Sequence, residues 1–128
     1  MKLYGKEHGE TIRAALNYAA TLVRLQRFEE AKSLLLKTMP VARRVLGENR
    51  ETTIKMRALY AQSLYLDSAA TLGDLREAVT TFEQLERIAR RVLGGAHPLL
   101  VSIERDVKSS RAALRARETP PQNAVDAS

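Results

Sequence analysis

A six-residue block, Ala-Arg-Arg-Val-Leu-Gly, occurs twice in this chain, at residues 42–47 and again at residues 89–94. Extended backwards, residues 27–47 align without a gap on residues 74–94, with eight identities in twenty-one positions. A weaker third copy, of the last three residues of the block, lies at residues 3–5. The glycines that end the three copies, Gly5, Gly47 and Gly94, are therefore 42 and 47 residues apart. Periods of this length are typical of stacked helical repeats, whose units bury their apolar faces against their neighbours. This repeat constrains the fold more than any other feature.

Within each unit the apolar residues follow the i, i+3, i+4, i+7 spacing of a helix that is buried along one face. Leucine and alanine contribute 36 of the 128 residues and aromatic residues only 5%, a bias that favours helix over sheet. The pattern predicts five helices, at residues 9–25, 28–45, 51–70, 74–92 and 98–117. We therefore expect one all-α repeat domain at residues 1–118 and a disordered tail at residues 119–128, where periodicity ends.

The residues between the predicted helices fit these boundaries. Gly47 and Gly94 stand where the C-terminus of a helix favours a residue that can take positive φ. Pro98 stands at a first helical position, where its missing N–H costs nothing. Pro40, by contrast, lies inside the second predicted helix and is expected to kink it.

Catalytic and metal-binding chemistry finds little support in the sequence. The chain has no cysteine, which excludes disulfides, thiolate metal sites and thiol nucleophiles. His8 and His97 lie far apart, and the chain has no Gly-rich phosphate loop, no nucleophile elbow and no His-Glu-x-x-His motif. His97, beside a proline, is expected to cap or pack a helix junction. We therefore expect no enzyme, no cofactor and no metal site.

The sequence also lacks the apolar segments that a membrane protein requires. Charged residues occur within the first seven positions, where a signal peptide would have an apolar core. The longest uninterrupted aliphatic run is residues 34–36, far short of a membrane span. A soluble, cytoplasmic protein with no membrane partner is the expectation.

Three segments carry motifs of one known family. Residues 93–98, Leu-Gly-Gly-Ala-His-Pro, match a Leu-Gly-x-x-His-Pro junction. Residues 16–22 are similar to a first-helix pattern, Leu-Asn-Asn-Leu-Ala-x-Leu, and residues 27–31 to the second-helix start, Lys-Tyr-x-Glu-Ala. With these motifs, residues 3–114 resemble the 42-residue tetratricopeptide repeats of kinesin light chains and their relatives. The resemblance implies about two and a half helix-turn-helix repeats that form an α-solenoid with a right-handed superhelical twist.

The sequence departs from the family pattern at several positions. Leu59 stands where the family has asparagine, five residues are inserted near residues 66–71, and Arg111 replaces an apolar residue. Arg111 marks the fifth helix as a terminal cap. A HEAT-like repeat is the competing fold, because its period of ~40–47 residues overlaps this one.

The resemblance further implies that the first helix of each unit lines a concave groove that binds peptides. The family's groove positions fall on Arg13, Asn17, Ala20, Val23, Lys55, Leu59, Gln62, Tyr65, Ser102, Arg105, Asp106 and Ser109. Three of these residues, Arg13, Lys55 and Arg105, are cations in register and would suit an extended acidic peptide. In kinesin light chains the corresponding groove takes acidic cargo peptides. A protein-interaction scaffold that binds a peptide or partner protein is therefore the expected function.

Other partners fit some of the same features. The net charge of +6 and arginine pairs such as Arg90-Arg91 could follow the phosphates of a nucleic acid. Few aromatic residues are present for base stacking, and acidic residues are interleaved with the cations, so nucleic acid is the weaker alternative. A structural segment of a longer repeat array, without a free ligand, and a homodimer through an exposed first helix are further alternatives.

Overall fold

The computed structural model describes the backbone of residues 2–119 and the side chains of residues 8–119. This part of the chain contains five helices and no strand. The helices are α1 (Lys2–Arg24), α2 (Phe28–Leu46), α3 (Glu51–Tyr65), α4 (Leu72–Leu93) and α5 (Pro98–Glu118). The all-α fold class predicted from the apolar spacing is confirmed. The predicted disordered tail lies, except for Thr119, outside the described residues.

The helices form two layers. Each helix packs on the next one in the chain, and α3 packs in addition on α1 and α5. Among the described residues the backbones of α2 and α4 do not pack on each other. The layer of α1, α3 and α5 is here called the inner layer, and α2 and α4 form the outer layer. This alternation is that of a helical-repeat solenoid, in which stacked pairs bury a continuous core.

Two clusters of buried side chains make up this core. The first lies between α1 and α2 and is closed by Met56 of α3. The second lies between α3, α4 and α5 around Phe82, which is fully buried. Tyr60 is partly buried and packs against both clusters. The core therefore runs through α3 from the first helical pair to α5.

The junctions predicted from the repeat end their helices as expected. Gly47 has φ 89° and Gly94 has φ 91°, a region that residues with a side chain rarely adopt. Pro98 is the first residue of α5. His97 caps that helix, because its Nδ1 accepts a hydrogen bond of 3.0 Å from the backbone N–H of Leu99.

Pro40 lies within α2, which continues from Phe28 to Leu46. Its ring removes the N–H that would pair with the carbonyl of Leu36, one turn earlier. Both residues are exposed, so water can take the place of the missing donor. The helix therefore tolerates the proline, and the predicted kink stays a prediction.

The predicted start of the first helix at residue 9 is wrong, because α1 already begins at Lys2. Gly5 was aligned with a helix-ending glycine, yet it lies inside α1, as does Gly9. A glycine inside a helix costs only about 0.5–1 kcal/mol relative to alanine. Flanking residues that favour helix can therefore carry the chain through both positions.

The five-residue insertion also shifts two helix boundaries. The third helix ends at Tyr65, not at residue 70, and α4 begins at Leu72, not at residue 74. Between them Asp67 holds a turn, since its Oδ1 accepts a 3.0 Å hydrogen bond from the N–H of Ala69. Thr71 and Asp74 then form a capping box, in which each side chain accepts the other residue's backbone N–H at 3.0 Å. The spacing Thr-x-x-Asp is a sequence signal for this start.

Candidate functional site

The inner layer encloses a hollow of about 240 Å³ between α1, α3 and α5. Four polar side chains and five aliphatic ones surround it. The polar residues are Asn17, Lys55, Gln62 and Ser102, and the aliphatic ones are Leu16, Ala20, Ala58, Leu59 and Leu99. An aliphatic surface with a few polar groups at its edge can hold an apolar side chain and orient the backbone that carries it. This inner hollow is the candidate site.

Helical spacing explains why these residues meet. Residues three and four apart lie on one face of a helix. In α3 the spacing runs from Lys55 through Ala58 and Leu59 to Gln62. In α1 Asn17 and Ala20 lie 42 residues before Leu59 and Gln62, so the repeat presents equivalent faces of two helices to the same space.

The structure brings together some of the predicted groove residues. Asn17, Lys55 and Gln62 line the inner hollow, and so do three further groove positions, Ala20, Leu59 and Ser102. The floor residues Leu16, Ala58 and Leu99 were not predicted. A signal for two of them was present, because Leu16 lies four residues before the groove position Ala20 and Ala58 lies three residues after Lys55, so each shares the groove face of its helix.

The remaining predicted residues lie elsewhere. The hollow is not lined by Arg13, Val23, Tyr65, Arg105 or Ser109. Of the three predicted cations, the structure therefore places only Lys55 at the hollow itself.

Arg13 belongs to a different depression, and Arg105 to an open surface. Arg13 lies with Arg50 and Glu51 around a hollow of about 260 Å³ between the middle of α1 and the α2–α3 junction. Arg105 is exposed on α5. The two arginines thus lie on helices that line the inner hollow, but their side chains do not line it.

A buried carboxylate links α3 to α5 beside the hollow. Asp106 is only 8% exposed. Its Oδ2 accepts a 2.9 Å hydrogen bond from Nε2 of Gln62, and its Oδ1 accepts a 2.8 Å hydrogen bond from the hydroxyl of Tyr65. The ring of Tyr65 meets Phe82 edge-on, with centroids 5.7 Å apart. The Tyr65 hydroxyl and one N–H of the Gln62 amide are therefore engaged within the protein, and the Gln62 carbonyl oxygen can accept a hydrogen bond from a ligand.

Comparison with known proteins identifies the first of these units. Residues 11–50 match the family model described as tetratricopeptide repeat. This segment is similar to a tetratricopeptide repeat. It includes α1 from Thr11 onwards, the whole of α2 and the turn that leads into α3. No curated protein and no solved structure matches the chain.

Tetratricopeptide repeats generally mediate protein–protein interactions and generally act as non-enzymatic scaffolds. In this repeat α1 contributes Leu16, Asn17 and Ala20 to the inner hollow, while α2 lies behind it in the outer layer. The second helical pair, α3 and α4, repeats the arrangement, with α3 inside and α4 outside.

Within the described residues no group of three or more histidine, aspartate or glutamate side chains is placed to hold a metal ion. The same part of the chain has no helix that combines the length and the apolar character needed to cross a membrane.

Lys55 is the charged group of the inner hollow. Its Nζ lies 3.9 Å from Oε2 of Glu51, and both side chains are about half exposed. An ion pair of this length at an exposed site contributes about 0–1 kcal/mol. Lys55 can therefore leave Glu51 at little cost and pair with a carboxylate that enters the hollow.

The hydroxyl of Tyr65 should titrate at unusually high pH. Burial, and then the hydrogen bond to Asp106, raise its pKa above the ordinary value of 10.0. Because the folded-state pKa exceeds the unfolded one, the stabilisation is fully present below about pH 10 and is lost as the pH rises further. The expected loss approaches about 1.4 kcal/mol per pH unit.

Burial also raises the pKa of Tyr60, so the contribution of Tyr65 to the loss of stability has to be separated from that of Tyr60. Replacement of Tyr65 by phenylalanine makes this separation. The measurement is urea unfolding between about pH 9 and about pH 11, together with the ultraviolet absorbance of tyrosinate. Above pH 10 the native protein should lose stability more steeply than Tyr65→Phe, and the variant should have one late-titrating tyrosine fewer, since it keeps Tyr60. Equal slopes in the two proteins would contradict the role given to this hydrogen bond.

Proposed function

We propose that this protein is an interaction scaffold of the kinesin light chain-like type, which binds an extended segment of a partner protein across the inner hollow. The observation that supports the proposal is the hollow itself, which three helices of the inner layer build from aliphatic residues and four polar side chains. The proposed setting is the cytoplasm, and no catalytic step is involved.

The polar groups around the hollow suit a peptide backbone. The Asn17 amide offers donors and an acceptor, the Ser102 hydroxyl offers both, and the Gln62 carbonyl oxygen accepts. An extended peptide has unpaired N–H and C=O groups along its length, which these side chains can satisfy. Leu59 and Leu99 would then contact one apolar side chain of the peptide.

Lys55 adds a preference for acidic segments. A carboxylate near the apolar anchor would form a charge-assisted hydrogen bond with its ammonium group. Arg13 and Arg105 lie on the same helical layer outside the hollow, and we propose that they attract an acidic segment at longer range. Val23, Tyr65 and Ser109 would contact only a ligand that extends well beyond the hollow.

Charge reversal at Lys55 tests this proposal. The probe is an array of fluorescein-labelled acidic peptides, each with one central leucine or tyrosine, measured by fluorescence anisotropy. The Lys55→Glu variant is expected to weaken the best peptide at least tenfold, or about 1.4 kcal/mol, because attraction becomes repulsion. Arg87→Glu, a reversal at an exposed residue of the outer helix α4, is the matched control and should change the affinity less than twofold.

Two outcomes would reject the peptide function. If Lys55→Glu binds as well as the native protein, the inner hollow is not the site. If no peptide binds, the chain is better described as a structural repeat segment. A single-stranded RNA is included as a competitor, and RNA binding with a steep salt dependence would favour the nucleic-acid alternative.

A further inference from the structure

The hollow that contains Arg13, of about 260 Å³, lies where α1 meets the junction between α2 and α3. It is here called the junction hollow. One wall belongs to α1 and another to the residues at the start of α3. These wall residues are Gly9, Ile12 and Arg13 on α1, and Arg50, Glu51 and Thr52 at the start of α3. Two arginines from different parts of the chain therefore line one hollow.

The junction hollow and the inner hollow are parts of one groove between α1 and α3. In α1 the residues that line the two hollows stand at positions 9, 12, 13, 16, 17 and 20, and in α3 at positions 51, 52, 55, 58, 59 and 62. Steps of three and four residues stay on one face of a helix. The same face of each helix therefore lines both hollows, and an extended segment that lies along this face passes from one hollow to the other.

The two arginines of the junction hollow are available to a ligand. Within residues 8–119 neither Arg13 nor Arg50 forms an ion pair or a hydrogen bond through its side chain. The guanidinium of Arg13 lies over Gly9, since a Cβ at that glycine would be 3.9 Å from its Nη1. Arg50 precedes α3, and its side chain forms no capping hydrogen bond. Both cations can therefore bind an anion without breaking an existing contact.

The charges around the junction hollow suit a single carboxylate. Glu51 is the acidic residue of the wall, and its two oxygens lie 3.9 Å from Nζ of Lys55 and 3.4 Å from Nε2 of His97. Two arginines and one glutamate leave an excess of one positive charge. An aspartate or glutamate side chain balances this excess, whereas a phosphoserine, with a charge of about −1.5 to −2, exceeds it. Arginine also pairs with carboxylates through parallel hydrogen bonds.

We infer that the junction hollow binds an acidic side chain of the same partner segment whose apolar residue fills the inner hollow. The inference rests on the proposed function and adds a second point of contact to it. For Arg13 this contact is direct, and Arg50 takes part although it is not one of the predicted groove positions. The ligand is thereby narrowed from an acidic segment to one with an acidic residue at a fixed distance from an apolar residue.

The two helices set that distance. Arg13 precedes Ala20 of the inner hollow by seven residues, and Thr52 precedes Leu59 by seven residues. Seven residues of an α-helix span about 10 Å. An extended peptide rises about 3.3 Å per residue, so the acidic residue of the ligand lies about three positions from the apolar one.

Peptides with one leucine and a movable glutamate test this spacing. Each fluorescein-labelled peptide has a central leucine, a glutamate beside it for Lys55 and a background of serine, and a second glutamate is placed at each other position in turn. Fluorescence anisotropy with the native protein should show the tightest binding when this second glutamate is about three positions from the leucine. Glutamine in its place should weaken binding about tenfold, because the charge-assisted hydrogen bonds to the two arginines are lost.

Removal of the two guanidinium groups should abolish this discrimination. The double variant Arg13→Gln, Arg50→Gln is expected to bind the glutamate and glutamine peptides within twofold of each other. The matched control is Arg44→Gln, Arg91→Gln, which removes the same charge from residues that line neither hollow and should keep the preference for glutamate. All four arginines are exposed, so the circular dichroism of both double variants should remain native.

A substitution at Gly9 tests the junction hollow without removing a cation. In Gly9→Glu the new carboxylate lies one helical turn before Arg13, pairs with it and competes with the ligand. The preference for the glutamate peptide should therefore fall, whereas Gly9→Gln, which adds similar bulk without charge, should keep it. Both new residues favour helix more than glycine does, so α1 should stay folded.

Three results would overturn the inference. The first is equal binding of the glutamate and glutamine peptides by the native protein. The second is a preference for glutamate that survives in Arg13→Gln, Arg50→Gln. The third is tighter binding of a peptide with phosphoserine at that position, since the hollow would then favour a dianion. If peptides bind in any of these ways and Lys55→Glu weakens them, only the role of the junction hollow is rejected; if no peptide binds, the proposed function is rejected with it.

Discussion

Replacement of Phe82 by alanine is expected to lower the free energy of unfolding by about 3–5 kcal/mol. Phe82 is fully buried where α3, α4 and α5 meet, and its ring lies edge-on to that of Tyr65. Truncation removes both the apolar burial and the aromatic contact, and it leaves a cavity that helices on three sides cannot easily close. Since domains of this size have about 5–15 kcal/mol in total, this loss would be a large share of the stability of the domain.

Urea unfolding followed by circular dichroism measures this loss. The control is Val92→Ala on the same helix, where the side chain is 41% exposed and the expected change is within about 0.5 kcal/mol. If Phe82→Ala lost no more than this control, the cluster around Phe82 would not be the main core of the domain.

Replacement of Asp106 by alanine is expected to cost about 1.5–3 kcal/mol. Both carboxylate oxygens accept hydrogen bonds across the α3–α5 contact, from Gln62 and Tyr65. A buried carboxylate depends on such donors, and its removal takes away the acceptor of the half-buried Tyr65 hydroxyl. The loss should therefore appear as weaker docking of α5 on α3.

A double-mutant cycle with Tyr65→Phe separates this contact from the general effect of mutation. The two changes should be non-additive by about 0.5–3 kcal/mol, because both remove the same hydrogen bond. Lys108→Ala, an exposed neighbour on α5, serves as the control. Strict additivity of Asp106→Ala and Tyr65→Phe in urea unfolding would show that the hydrogen bond does not stabilise the domain.

Much of the fold could be predicted from sequence because its signals are local. Gly47, Gly94 and Pro98 mark helix ends through their own backbone preferences, and the structure confirms all three. The start of α1 could not be predicted in this way, because Gly5 is compatible with a helix end and with a helix interior. The capping box of Thr71 and Asp74 was a local signal for the start of α4 that the apolar spacing alone did not use.

The candidate site was less predictable because it depends on contacts between helices. The repeat period places Asn17, Lys55 and Gln62 on one layer, and the structure brings these three residues to one hollow. That Tyr65 turns instead to Asp106, 41 positions later, follows from side-chain packing between α3 and α5. No spacing within a single helix contains that information.

The position of α3 has a consequence for how the domain holds together. Among the described residues it is the one helix whose backbone packs closely on all four others, whereas the backbones of α1 and α2 do not pack on those of α4 and α5. Without α3 the chain would consist of two hairpins whose backbones do not pack on each other. Cooperativity between the two halves therefore passes through a single fifteen-residue segment. In a nearest-neighbour description of folding, α3 supplies the interface free energy that couples the first helical pair to α4 and α5. A partner that makes α3 more rigid would therefore also strengthen the coupling between the two ends of the domain.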